Sequence, residues 1–246
     1  MCEMKVIILV GGLGMRIRSL LTGSPKPMAK FKKRPFLEYQ IIQLRDQGFT
    51  EIVLCSGYLA DHIQNYFGGG ESLGVEVHHV VEKKLLGTAG AIRNAHNFIQ
   101  DRFLVLNGDS FLDIDFRQLL DFHSARYNEE QRTIATIVSV AIQDVGAYGS
   151  LQIDEKGIIH HFAEKGAAGM GWINGGVYVF EKEILEHIPA NKSVSIEKTT
   201  FPFLLNSGKR LYSYPFDGFF VDIGTPAGHQ CFGRFVENGM VVNADM

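Results

Sequence analysis

Val6-Ile7-Ile8-Leu9-Val10-Gly11-Gly12-Leu13-Gly14-Met15-Arg16 is the stretch that decides the architecture. Consecutive apolar residues without alternation read as a strand buried on both faces. In the glycine turn that follows, no Cβ keeps backbone N–H groups from closing around an anion. Arg16, and Lys26 within Ser24-Pro25-Lys26-Pro27, bring two cations to the rim of that turn, where a polyphosphate would need them. The prolines on both sides of Lys26 predict an extended backbone there.

Working outward, apolar runs alternate with helix-period segments. Strands are expected at Glu51–Ser56, Val75–Val80 and Arg102–Leu106. Helices are expected at Phe36–Gln47, opened by Pro35, at Asp61–Phe67, and from near Thr88. This rhythm implies an α/β fold with a doubly wound, mostly parallel sheet whose ligands lie beyond the carboxyl ends of the strands. One such end is Asn107-Gly108-Asp109; Asp113 and Asp115 then read as caps for a helix near Phe116. The second half predicts a strand at Thr133–Val140 and a hairpin of Tyr148–Asp154 with Ile158–Phe162. A strand at Ile173–Phe180 and a helix at Ser195–Ser207 follow. With no linker or repeat in view, a single Rossmann-like domain is expected. The lack of hexapeptide repeats speaks against a C-terminal β-helix.

A chain of 246 residues with 46% hydrophobic and 21% charged residues suits one soluble core. A net charge of −3 gives no electrostatic case for nucleic acid, and Lys32-Lys33-Arg34 reads as a solvated loop. The apolar run at Val6 is too short for a signal segment, and no stretch reaches membrane-spanning length, so a cytoplasmic protein without membrane insertion is expected. Cys2, Cys55 and Cys231 are isolated, which supports neither a disulfide framework nor a zinc site. The pairs His78-His79 and His160-His161 point to opposite strand faces and form no metal pattern.

The glycine turn alone is ambiguous. A dinucleotide fingerprint wants glycine where Ile17 stands, and an acid where the second strand ends in Cys55-Ser56-Gly57. A Walker loop would need Gly-Lys-Ser/Thr, which is missing. The wider set of motifs is more specific. Gly11–Arg16 with Pro25-Lys26-Pro27-Met28 resembles the signature of the sugar-1-phosphate nucleotidylyltransferases, and Leu86-Gly87-Thr88-Ala89-Gly90-Ala91 is similar to their second nucleotide loop. Asn107-Gly108-Asp109 and Val221-Asp222-Ile223-Gly224 resemble their metal-binding segments. Phe162-Ala163-Glu164-Lys165 and Asn174-Gly175-Gly176 resemble their sugar-phosphate segments. These elements keep the family's order from residue 6 to residue 226. Within the family, the run from Asn107 to Asp115 and Ile173–Gly176 are most similar to the short guanylyltransferases acting on D-glycero-α-D-manno-heptose 1-phosphate.

The resemblance implies transfer of a nucleotidyl group from GTP to a sugar 1-phosphate, with mannose 1-phosphate as acceptor, or uridylyl or thymidylyl transfer, as alternatives. A non-catalytic nucleotide-sugar-binding subunit is the rival of another class. It implies catalytic Arg16, Lys26 and Lys165, with Mg²⁺ on Asp109 and Asp222. It places the nucleotide on Leu9, Gly11, Gly12, Gly14, Glu82, Gly87 and Thr88. The sugar phosphate falls to Asn107, Tyr148, Gly149, Glu164, Lys165 and Asn174, where an asparagine turn is the competing reading. Residues to about 115 would form the nucleotide-binding half and residues 116–246 the sugar-phosphate half, and a homodimer is allowed for. Glu82 could accept from guanine N1–H and N2–H, or be a solvated acid beside Lys83 and Lys84. Met15, Ser19 and Gly166 depart from the family's usual threonine or serine, proline, and proline.

Overall fold

The computed structural model describes residues 4–12, 23–146, 148–163 and 169–239. β1 (Lys5–Leu9) is the buried strand expected from its apolar run. A small β2 (Lys30–Phe31) and β3 (Arg34–Pro35) hairpin turns through Lys32-Lys33 and leads into α1 (Phe36–Asp46). β4 (Glu51–Ser56), α2 (Ala60–Phe67), β5 (Glu76–Val81), α3 (Gly87–Asn94) and β6 (Phe103–Asn107) complete the repeating strand–helix units. Lys5–Leu9 lies parallel between Glu51–Cys55 on one side and Leu104–Asn107 on the other. The spatial order is therefore β5-β4-β1-β6, and the chain switches direction across the sheet between β1 and β6. Such a switch point leaves a crevice at the carboxyl ends of the two strands, because their following loops diverge. Gly11-Gly12 and Gly108-Asp109 line it.

After β7 (Ser110–Leu112), α4 (Phe116–Glu129) is capped by Asp115, whose carboxylate accepts from the N–H groups of Arg117 and Gln118. β8 (Thr133–Ile142), β9 (Ser150–Ile153), β10 (Ile159–Ala163) and β11 (Gly171–Phe180) extend the sheet on the β6 side. β11 runs antiparallel to β6 through Val177–Phe180 and to β9 through Trp172–Ile173. Between Asn174 and Tyr178 it advances four positions while β8 advances two, from Ser139 to Ile137. This bulge carries β11 from one neighbour to the other and opens the sheet beside Asn107. The expected helix from Ser195 forms, but begins as a π-helical turn at Ile196–Thr200 before α5 (Phe201–Asn206). β12 (Arg210–Phe216), β13 (Phe220–Asp222) and α6 (Pro226–Glu237) follow.

Side-chain alternation along β1 sends Val6 and Ile8 into a core under α1, α2 and α4, and Ile7 into a second core under α3 and α5. A third, aromatic cluster seats α6. Phe232 packs with its ring centroid 4.8 Å from both Phe31 and Phe36, and 5.2 Å from Phe111. It clamps β7 and β13 between α1 and α6.

α4 is tied to the sheet by a buried polar group. His123 Nε2 donates to Glu181 at 3.0 Å and Nδ1 accepts from Thr136 at 2.7 Å, which satisfies a neutral ring. Arg102 Nε also donates to Glu181, at 2.7 Å. Burial holds the His123 pKa below its ordinary 6.5, with the Glu181 carboxylate opposing it. The unfolded chain thus takes up a proton near pH 6.5 that the folded chain refuses, and stability falls as pH drops through that range. Thermal unfolding followed from about pH 7 to 5 should show Tm falling, with a shallower slope in His123→Gln. An unchanged slope would contradict this.

Candidate active site

The crevice is a cleft of about 400 Å³ lined by Leu9, Gly11, Gly12, Lys26, Glu82, Gly87, Thr88, Asn107 and Asp109 among others. Each of these was expected from sequence, and the topology brings them together at one end of the sheet. Two cleft residues carry no sequence expectation, Leu85 and Ser193.

Lys26 is not extended. Pro25 is, with φ −66° and ψ 149°, but Lys26–Met28 forms a single 3₁₀ turn. The turn closes through Met28 N–H to the Pro25 carbonyl at 2.8 Å and Ala29 N–H to the Lys26 carbonyl at 3.0 Å. Neither bond uses the N–H that Pro27 lacks, so the proline bias on Lys26 is overridden. The turn aims Lys26 across the cleft mouth. Its ammonium lies 2.5 Å from Asp109 Oδ2 and 4.0 Å from Asp222 Oδ1.

Those two carboxylates are brought together by the antiparallel β7–β13 pair. Asp222 sits opposite Ser110, and Ile223 N–H donates to the Asp109 carbonyl at 2.9 Å. Asp222 Oδ1 also accepts from Gly224 N–H at 2.6 Å. A Cβ on Gly224 would lie 2.5 Å from the Lys26 ammonium, inside the space that these charged groups share. Two hard oxygen ligands from distant segments thus converge on one position already favourable to a cation, which fits a divalent metal that keeps other ligands for water and phosphate.

Glu82 is a half-buried carboxylate, not a solvated one. Its backbone N–H extends the β4 edge to the Ser56 carbonyl at 2.8 Å, and its Oε2 accepts from Leu86 N–H at 3.0 Å. Burial pushes its pKa above the ordinary value, only partly offset by that bond. The carboxylate retains acceptor sites toward the cleft. Gly87, at φ +69°, turns the chain into α3; a Cβ there would lie 2.6 Å from the Val194 carbonyl. The Thr88 hydroxyl accepts from Ile196 N–H at 2.8 Å. The second glycine loop is therefore locked against residues 194–196 as well as facing the cleft.

On the opposite side, Gly149 backs onto Ala163, whose carbonyl would lie 2.9 Å from a Cβ. The Ser150–Ile173 pair places Gly149 and Asn174 one step further along neighbouring strands. Asn174 makes the asparagine turn, its Oδ1 accepting from Gly176 N–H at 2.9 Å, while Nδ2 donates to Tyr178 at 2.8 Å and Glu197 at 2.6 Å. Glu197 was not singled out from the sequence. Nothing local marks it, since Glu197-Lys198 is one of five Glu-Lys pairs in the chain. Gly14, Arg16, Glu164 and Lys165, with Met15, Ser19 and Gly166, lie outside the described residues.

One further group of ligand types exists among the described residues: Glu51, Glu76 and His78. It lies at the amino ends of β4 and β5, away from the cleft, and Lys5 pairs with Glu51 across the β1–β4 register. The imidazole of that group was not foreseen, but the row is already charge-paired.

Fold and site together define a nucleotide-binding α/β protein with two acids and a lysine gathered at the mouth of its cleft. The chain belongs to the nucleotidyl transferase family, whose sequence profile matches residues 5–232. It is 36% identical to the D-glycero-α-D-manno-heptose 1-phosphate guanylyltransferase of Campylobacter jejuni, covering 93% of this chain and 98% of that one. It is 34% identical to the mannose-1-phosphate guanylyltransferase of Mycobacterium tuberculosis over 91% of this chain and 62% of that protein. The crystal structure of HddC from Yersinia pseudotuberculosis complexed with GMP-PN superposes with a TM-score of 0.81 at 32% identity, covering 95% of this chain and 99% of that one.

The start of α6 buttresses Asp222. Thr225 Oγ1 caps the helix by accepting from Gly228 N–H at 3.0 Å, and a Cβ on Gly228 would fall 1.9 Å from the Asp222 carbonyl. Gly228→Ala should therefore push α6 off β13 and destabilise the protein by about 1–3 kcal/mol, the usual scale of overpacking. Calorimetry or chemical denaturation measures this; a variant as stable as the parent would show that the contact is not tight.

Proposed function

We propose that the protein transfers a guanylyl group from GTP to D-glycero-α-D-manno-heptose 1-phosphate, giving a GDP-sugar and pyrophosphate. The observation that carries the reading is the meeting of Lys26, Asp109 and Asp222 at the mouth of the nucleotide cleft. Choice of acceptor is supported by sequence similarity: the chain is 36% identical to the heptose enzyme over 93% of its residues, against 34% over 91% for the mannose enzyme. A regulatory subunit without activity would have no use for the lysine and both acids.

In this reading a phosphate oxygen of the sugar 1-phosphate attacks the α-phosphorus of GTP. The new P–O bond forms as the bond to the bridging β-phosphate oxygen breaks, and pyrophosphate carries away the electron pair. Such a transfer needs positioning and charge neutralisation more than covalent help. Asp109 and Asp222 would hold Mg²⁺, which when bound supplies positive charge to the α-phosphate and the departing oxygens. Lys26 would turn its ammonium from the two acids to the phosphates, and Arg16 would add a second cation to them. The half of the chain to about residue 115 holds the nucleotide; residues 116–246 hold the acceptor. Lys165 would neutralise the acceptor phosphate. Glu164, Asn107, Asn174 and the Tyr148-Gly149 backbone would bind sugar hydroxyls, with Tyr178 and Glu197 fixing the Asn174 amide. We assign the reaction to the cytoplasm, where GTP is at hand. No helix among the described residues is long and apolar enough to cross a membrane.

Guanine presents N1–H and N2–H side by side, and an ionised carboxylate accepts both, whereas uracil and thymine offer one donor on that edge. Glu82 would make this contact. In an assay of pyrophosphate release across nucleoside triphosphates and sugar 1-phosphates, GTP with the heptose phosphate should be the preferred pair. Glu82→Gln leaves one guanine donor mispaired, at a cost of about 1–3 kcal/mol, so kcat/KM for GTP should fall roughly ten- to a hundredfold. Because Glu82 must be ionised, parental GTP preference should weaken on acidification above the ordinary glutamate pKa of 4.5. A wild-type preference for UTP or dTTP would refute guanylyl transfer.

A further inference from the structure

The segment that carries Asp109 is held on one edge only by β13. Its carbonyls alternate in direction, as in any extended strand. The Asp109 carbonyl accepts from Ile223 N–H, while those of Ser110, Leu112 and Ile114 face the other way, toward α1. A helix has no backbone N–H to give sideways, since its own turns use them. Three glutamines on one face of α1 and its end supply the donors. Gln40 Nε2 donates to the carbonyls of Asn107 at 3.0 Å and Ser110 at 2.8 Å. Gln43 Nε2 donates to Leu112 at 2.7 Å, and Gln47 Nε2 to Ile114 at 2.9 Å. The spacing of three and then four residues keeps the amides on one stripe, so the ladder stands where a third strand would.

Gln40 differs from the other rungs. It uses both amide hydrogens, and its two acceptors bracket Gly108-Asp109, the turn that presents the carboxylate to the cleft. Gln40 is 1% exposed, and its Oε1 finds no hydrogen-bond partner among the described residues. An apolar residue of that size would remove an orphaned buried acceptor, so packing alone gives no reason for an amide here. Donation to the two carbonyls does.

We propose that Gln40 is a positioning residue for the cation centre, fixing the Asp109 carboxylate relative to Asp222 so that both reach one ion. The inference rests on Asp109 and Asp222 being the cation ligands. Gln40 touches neither substrate nor reacting atoms. It acts through the Asn107–Ser110 turn, and through the Ser110–Asp222 pairing it bears on both acids. Partners of this outer kind commonly change metal affinity ten- to a hundredfold when removed.

The test titrates the full-length chain with Mn²⁺, reading free ion by electron paramagnetic resonance well below the unfolding temperature, with Tm measured in parallel. Gln40→Met and Gln43→Met each remove buried amide donors of the same ladder, so both should lower Tm. Gln40→Met should weaken Mn²⁺ binding roughly ten- to a hundredfold, while Gln43→Met should stay within about twofold of the parent. Equal Mn²⁺ affinity in Gln40→Met and the parent would overturn the proposal and leave a purely structural amide. Should Gln40→Met fail to fold, Gln40→Asn, whose shorter amide falls short of the two carbonyls, is read against the same outcomes. Asp109→Asn separates the two layers of the argument. Its loss of Mn²⁺ binding with Gln40 variants unaffected defeats only the positioning role, whereas undiminished binding in Asp109→Asn defeats the cation reading itself.

Discussion

Everything at the carboxyl edge of the sheet is arranged around one electrostatic constraint: two carboxylates, Asp109 and Asp222, must share a small space with one ammonium, Lys26. Like charges held at close range repel, and a cation between them is the remedy. The three residues come from segments far apart in the chain, so each needs its own scaffold. A 3₁₀ turn that follows Pro25 and contains Pro27 aims Lys26, and the β7–β13 pair places the acids side by side. The aromatic cluster around Phe232 keeps α6 pressed on that pair. The same proximity lets Lys26 balance the two acids.

The sheet topology explains why that charge triad faces a nucleotide-sized cleft. The order β5-β4-β1-β6 places the switch between β1 and β6, and glycines line the crevice just beyond both strands, Gly11-Gly12 after β1 and Gly108 after β6. The antiparallel part, joined through β11, supplies a second wall without closing the crevice. Its bulge between Asn174 and Tyr178 moves the strand from β9 to β6, which brings the asparagine turn alongside Asn107. One side of the cleft is thereby built by parallel strand–helix units and the other by a hairpin and a bulged strand.

Much of this was legible before the structure. The parallel strands announced themselves because residues buried on both faces leave unbroken apolar runs; Glu51–Ser56 falls where its sequence placed it. Asp115 acts as the helix cap, while Asp113 uses its backbone N–H to reach the Phe219 carbonyl. The failures share a physical cause: long-range partners outvoting local preference. Lys26 bends because backbone bonds close around Pro27 without needing its missing donor. The turn at Ile196–Thr200 is π-helical, and Ile196 N–H bonds to the Thr88 hydroxyl from a distant loop. The glutamines of α1 carried no expectation, since nothing local reveals a strand edge in need of donors.

The most direct test of the account is anomalous diffraction from crystals grown with Mn²⁺ and a non-reactive GTP analogue. The account predicts a peak between the Asp109 and Asp222 carboxylates, with the Lys26 ammonium drawn from Asp109 to a phosphate oxygen. A peak confined to Glu51, Glu76 and His78, with Lys26 still on Asp109 and the analogue's phosphates elsewhere, would contradict it.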